Sequence, residues 1–182
     1  MTTNNPIDRR KELGTRTVVG LGMVGFALAI LWAGGFAFWL VTAIVGIGLL
    51  SEWANLAGAD AATQRMMLFT VSVPLAIMCP LAAGPQFFAL GLIAAAATFT
   101  MVSTRRSVLA LGIIYTALPV LALLLIRKQP DGLLFTLWAM ALVWMCDIGA
   151  FFVGRAFGGP RLAPLISPNK TWAGLVGGTI GA

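Results

Sequence analysis

TVVGLGMVGFALAILWAGGFAFWLVTAIVGIGLL, residues 17–50, runs without one charged side chain. A bilayer core about 30 Å thick takes about 20 residues of α-helix to cross. The run is therefore too long for one span and too apolar to stay in water. Gly34-Gly35 is the natural turn inside it, predicting spans over 17–33 and 36–56. Similar runs predict further spans over 65–82, 86–103, 107–126 and 132–153, and a seventh begins near Gly174. The expected fold is all-α, a polytopic transmembrane helical bundle of six full spans plus the start of a seventh. A basic cytoplasmic tail (1–16) precedes a transmembrane domain (17–182) that is expected to be incomplete at its C-terminal end.

Composition agrees with this reading. Of 182 residues, 59% are hydrophobic and 10% charged, against about 25% charged in ordinary soluble domains. Mean hydropathy is +0.94. Twelve Lys and Arg against six Asp and Glu give a net charge of +6. The cations lie between apolar runs rather than in one patch, which suits topology and lipid headgroups and argues against nucleic acid. There is no histidine, which removes His-dependent triads and His-ligated metal or haem. Cys79 and Cys146 stand far apart in apolar runs and read as small buried hydrophobes.

The N-terminal tail carries Arg9, Arg10, Lys11 and Arg16, and further cations follow at Arg65, Arg105-Arg106, Arg155, Arg161 and Lys170. With six spans these all fall on one side, which the positive-inside rule makes cytoplasmic. Arg127-Lys128 dissents, offset in part by Asp131. Pro74, Pro80 and Pro119 fall within predicted spans and read as packing kinks. Trp53, Trp138 and Trp172 fall near span ends, as interfacial anchors do. Glu52 and Asp60 read as acids of a solvated connection.

Chemistry concentrates in residues 147–178, DIGAFFVGRAFGGPRLAPLISPNKTWAGLVGG. Asp147 is a carboxylate inside an apolar span, costly unless paired, hydrated or metal-bound. Eight residues on, Arg155 lies on a similar face and is a possible structural partner. Gly154, Gly158 and Gly159 permit close backbone approach, and Arg155 and Arg161 offer forked donors to phosphate. Ser167-Pro168-Asn169-Lys170 reads as a helix start, with Ser at the N-cap and Pro at the first helical position. Such an end favours anions, and Lys170 and Thr171 would add a charge and a hydroxyl. The alternative is a capped re-entry helix whose cations only set topology. G-x-x-x-x-G-K-[ST] is absent, so this is no P-loop.

In these residues the chain resembles the phosphatidate cytidylyltransferase family, also called CDP-diacylglycerol synthases. The resemblance rests on Asp147 through Arg155, then Gly158, then Ser167 through Trp172, with Gly174, Gly177 and Gly178. A Glu52-Trp53 pair in the N-terminal spans agrees with it. The resemblance implies a multispanning enzyme of the inner membrane that joins CTP and phosphatidate into CDP-diacylglycerol with release of pyrophosphate, using Mg2+. It implies Asp147 and Lys170 as catalytic residues, with Asp147 on the metal. Gly154, Arg155, Ser167, Lys170 and Thr171 would bind substrate phosphates within a cytoplasmic loop over 154–173. Membrane lipids are expected partners, and a homodimer is open.

Two positions depart from the family pattern: Ala173 stands where many relatives carry Glu, and Asn169 where a second Lys is frequent. The family's Lys-Asp pair, His-Gly-Gly and closing Asp-Arg-x-Asp are absent, and with them its principal metal acids. These residues are accordingly expected to be an N-terminal portion, inactive alone. Competing readings are a CTP-dependent lipid kinase, which would release CDP, and a small ion-coupled transporter using Asp147.

Overall fold

The computed structural model describes residues 6–164 and 167–182, with side chains from Val18 onward except those of Ala163 and Pro168. The chain forms two compact units, one ending at Pro130 and one running from Asp131 to Ala182. The first holds α1 (Pro6–Ala33), α2 (Gly35–Leu56), α3 (Ala61–Ile77), α4 (Ala89–Thr104) and α5 (Ser107–Lys128). The second holds α6 (Gly132–Phe157), a two-stranded hairpin of β1 (Arg161–Ala163) and β2 (Ser167–Thr171), and α7 (Trp172–Gly181). Residues 1–5 of the expected basic tail lie outside the described residues, and from Pro6 onward the tail belongs to α1.

The helical bundle stands, but the count of six spans and a partial seventh does not. Among the described residues three helices are long and apolar enough to cross a membrane: α2, α5 and α6. The apolar part of α1 (Val18–Ala33), α3 and α4 are shorter apolar helices of 10–17 residues, and α7 has 10 residues. Sixteen residues rise only about 24 Å, short of a core about 30 Å thick. The chain is a multi-pass membrane protein with short apolar helices beside its spans.

Turn hydrogen bonds explain the shortening. After Ile77, the Cys79 amide donates to the Ala76 carbonyl, and those of Ala82 and Gly84 both donate to Cys79. Gly84 adopts φ +74°, so residues 78–86 make a turn where the apolar pattern continues as if helical. Pro80 lies in that turn and outside α3, whereas Pro74 and Pro119 are inside α3 and α5. The break between α1 and α2 falls at Gly34-Gly35, with φ +60° and +48°.

In the first unit α5 is the central helix, packed on α2, α3 and α4. Leu109, Ile113, Thr116, Ala117, Val120, Leu121 and Leu124 form its buried face at helical spacing. The buried Thr116 hydroxyl donates to the Gly112 carbonyl (2.8 Å), returning a polar group to its own helix. Gly112 has no side chain because the Trp53 indole lies where a Cβ would stand. That indole donates to the Val108 carbonyl (2.8 Å) and packs on Tyr115, whose ring centroid is 5.2 Å away.

Helix ends are closed by side chains from neighbouring helices. Arg127 Nε donates to the Leu31 carbonyl (3.1 Å) and its Nη2 reaches that of Trp32 (3.5 Å), covering the end of α1. Arg106 donates to the Ala57 and Gly58 carbonyls just past α2. The Trp39 indole donates to the Leu75 carbonyl (2.8 Å) in the last turn of α3. At the start of α3 the Asp60 carboxylate accepts from the Thr63 amide (3.3 Å).

The Asp60 bond to Thr63 holds its carboxyl below the ordinary 3.8. A depressed folded-state pKa makes this cap fully effective above the ordinary value, and the contribution is lost as pH falls through the folded value. Thermal melts across the acidic range should show a pH-dependent component that Asp60→Asn removes. The amide keeps the cap at neutral pH, whereas Asp60→Ala lowers the melt throughout. Identical acid profiles for wild type and Asp60→Asn would refute the assignment.

Candidate active site

Three elements of the second unit bound a cleft of about 670 Å3. From α6 come Cys146, Asp147, Ala150, Phe151, Gly154 and Arg155, three pairs one helical turn apart on one strip. From β2 come Asn169, Lys170 and Thr171, and from the start of α7 come Gly174 and Leu175. Asp147, Arg155, Asn169 and Lys170 are exposed, and Thr171 is half-buried. One carboxylate thus faces two cations, an amide and a hydroxyl, with Phe151 and Leu175 as apolar wall.

The cleft exists because α7 folds back along α6 at backbone distance. A Cβ built on Gly149 would lie 2.5 Å from the Gly177 carbonyl oxygen, and one on Gly174 would lie 2.9 Å from that of Ala150. On Gly178 it would meet the Cys146 carbonyl at 2.9 Å, and on Gly181 that of Met145 at 3.0 Å. On Gly177 it would collide with Val153. Gly174, Gly177, Gly178 and Gly181 make overlapping small-xxx-small spacings, the pattern that lets helices in lipid touch main chain to main chain. The pairings run in opposite directions along the two helices, so α7 is antiparallel to α6.

The hairpin sets the other wall. Gly158 and Gly159, at φ +61° and +95°, turn the chain after α6. β1 then pairs antiparallel with β2, placing Arg161 opposite Thr171 and Ala163 opposite Ser167. The Trp172 amide donates to the Pro160 carbonyl (3.1 Å), closing the hairpin where α7 begins.

The helix start read at Ser167-Pro168 is corrected here. Residues Ser167–Thr171 are strand, and the N-cap is Thr171, whose Oγ1 accepts from the Gly174 amide (3.1 Å). Pairing with β1 holds the segment extended, so the helix begins four residues later than the Ser-Pro signal indicates. The start of α7 still faces the cleft through Thr171 and Gly174.

Of the residues expected to act, Asp147, Gly154, Arg155, Lys170 and Thr171 come together around this cleft. Ser167, half-buried at the far end of β2, is not among its lining residues, and neither are Arg161, Gly158 and Gly159. Leu165 and Ile166 of the expected 154–173 loop lie outside the described residues. Sequence reading missed Phe151, Leu175 and Cys146 as lining, since a lone apolar residue carries no chemical signal. The spacing of Gly174, Gly177, Gly178 and Gly181 could have announced the α6–α7 contact. Among the described residues no three His, Cys, Asp or Glu side chains gather as a metal cluster. Within the cleft, the hard oxygen donors are the Asp147 carboxylate, the Asn169 amide and the Thr171 hydroxyl.

Comparison with known proteins gives the family. The cytidylyltransferase family pattern matches residues 14–182, and the chain belongs to that family. A phosphatidate cytidylyltransferase of Brucella suis is 33% identical over 176 residues, covering 94% of this chain and 65% of that protein. One of Pseudomonas aeruginosa is 32% identical over 185 residues, 91% of this chain and 66% of that protein. One of Haemophilus influenzae is 53% identical over 51 residues, 28% of this chain and 18% of that protein. The chain spans about 65% of the length of the first of these relatives. No solved structure matches it.

The glycine contact yields a direct test. In Gly177→Leu the new side chain must push α7 away from Val153, opening the cleft wall. Cys146, half-buried beside Gly178, should then react with a maleimide about tenfold faster, as expected for loss of a packed contact worth about 1–3 kcal/mol. Buried Cys79 in the first unit is the internal control. An unchanged Cys146 rate would show that α6 and α7 do not depend on this approach.

Proposed function

We propose that the cleft of α6, β2 and α7 is the phosphate-binding part of a phosphatidate cytidylyltransferase, which converts CTP and phosphatidate to CDP-diacylglycerol and pyrophosphate in phospholipid biosynthesis. One observation carries the reading: Asp147, Gly154, Arg155, Lys170 and Thr171, scattered over 25 positions, line one cleft in a chain of the cytidylyltransferase family.

In the proposed reaction a phosphatidate oxygen attacks the α-phosphorus of CTP. The bond to the β-phosphate breaks, and its electron pair leaves with pyrophosphate. Both substrates are anionic, so bringing them together requires cations and donors fixed in advance. Arg155 offers a planar fork for phosphate oxygens and Lys170 a mobile point charge. Thr171 already accepts the Gly174 amide through Oγ1, so its hydroxyl proton is available to a phosphate oxygen. Gly154 keeps the α6 wall low beside Thr171; a Cβ there would come within 3.1 Å of that hydroxyl oxygen. Phe151 and Leu175 give an amphiphilic substrate an apolar surface continuous with the membrane.

The donor set suits Mg2+, which binds through one or two carboxylates plus substrate phosphates and water. Asp147 is the residue that would hold it, and a bound Mg2+ would neutralise charge developing on the phosphates. With three spans the parity argument for sidedness lapses. The reading that the cleft lies at the cytoplasmic face of the inner membrane now rests on Arg155 in the last turn of α6, on Arg161 and Lys170 beyond it, and on the need for a water-soluble nucleotide.

Binding of radiolabelled CTP to the purified chain in phosphatidate-containing micelles tests the assignment. Lys170→Gln should weaken binding about tenfold, as loss of a charged hydrogen bond does. Asp147→Asn should weaken it with Mg2+ present, yet leave it unchanged or strengthened in chelator, where the carboxylate only repels. CTP binding indifferent to both substitutions would dismiss the cleft. Where turnover occurs, release of CDP instead of pyrophosphate would favour a lipid kinase.

A further inference from the structure

We propose a second anion site in the first unit: a cavity at the junction of α2 and α5 that takes the phosphate of an anionic phospholipid headgroup. It is distinct from the α6–α7 cleft and does not depend on the reading of that cleft. The cavity has a volume of about 290 Å3, and its lining includes Gly35, Phe38, Pro80, Gly84, Arg127 and Lys128, with no acidic residue among the described residues. That volume lies near the lower end for small-molecule pockets and suits a phosphodiester headgroup.

Depth identifies the ligand. α2 begins at Gly35 and α5 ends at Lys128, and both are span-length apolar helices. A cavity at the start of one span and the end of another lies where hydrocarbon gives way to headgroups. Its floor is apolar, with buried Phe38 and Leu124, and its rim carries the two cations. Glycerol ester below and phosphate above match that order.

The two cations differ in how they are occupied. Arg127 is fixed by its bonds to the Leu31 and Trp32 carbonyls and also lines the cavity. Lys128 is exposed, and among the described residues its Nζ reaches only the Pro85 carbonyl, at 3.5 Å. The first turn of α2 has no side-chain cap, so its positive end adds to the same field. Covering α1 explains Arg127, and a headgroup phosphate explains Lys128.

The test titrates the delipidated chain, in nonionic detergent, with phosphatidylglycerol, and counts bound lipid by native mass spectrometry. Wild type and Lys170→Gln should bind one lipid alike. Lys128→Gln should bind it about fivefold more weakly, the usual effect of one lysine at an anionic membrane surface. Lys128→Arg should restore it, and phosphatidylcholine should bind more weakly than phosphatidylglycerol. Equal binding by wild type and Lys128→Gln would overturn the site. Loss in Lys170→Gln alone would move the lipid to the cleft, also overturning it. Inorganic phosphate competing at the same concentration as the lipid would make this a free-anion site and overturn the lipid assignment. A thermal melt of Lys128→Gln matching wild type excludes unfolding as the cause.

Discussion

A helix that ends near lipid leaves backbone carbonyls and amides that hydrocarbon cannot satisfy, and closing those ends is the constraint on which this chain depends. Only 10% of its residues are charged, and several of them serve backbone. Arg127 covers α1, Arg106 covers the turn after α2, and Asp60 begins α3. An indole does the same work in the last turn of α3, where Trp39 donates to the Leu75 carbonyl. After α2, Gly58 at φ +66° lets the amides of Gly58 and Ala59 bond back to Asn55 and Ala54, a Schellman closure. The bonds from Arg127, Arg106 and Trp39 tie a helix end to a neighbouring helix, so there satisfying backbone and assembling the bundle are one event.

The second unit meets the same constraint without arginine. The hydroxyl of Thr171 closes the start of α7, and the Pro160 carbonyl takes the Trp172 amide. Because α7 can touch α6 only through glycine, Thr171 is held against Gly154 and the wall of β2 against the strip bearing Asp147 and Arg155. Packing and chemistry are therefore coupled. A side chain at Gly177 would collide with Val153 and so displace cleft residues it does not itself meet.

What could be read from sequence follows from which forces leave a local trace. Burial in lipid leaves a long apolar run, so α2, α5, α6 and the break at Gly34-Gly35 were legible. The ends of α3 and α4 were not, because hydropathy does not register the Cys79 carbonyl accepting two turn amides. Ser167-Pro168 misled for a related reason: a capping residue before proline also suits an extended strand. The deciding partner was a three-residue strand across a turn. The ionisable members of the cleft were legible by type, since carboxylate and cation stand out against lipid. Phe151 and Leu175 were visible only once α7 lay beside α6.

The cations of a membrane protein can set topology, close helices or bind anions, and sequence alone merges the three. Structure separates them by what each donor already holds. Arg106 directs its guanidinium at two carbonyls beyond α2 and has a complete structural explanation. Arg155 and Lys170 are exposed on the wall of one cleft, and Lys128 on the rim of another cavity. On the readings proposed above, a cation in those positions would gain more from a phosphate than from water, because the donors around it are already organised. Arg127 closes the end of α1 and also lines that cavity. Arginine suits that closure because its planar fork reaches two carbonyls at fixed geometry, which the single charged nitrogen of a lysine would not hold as rigidly.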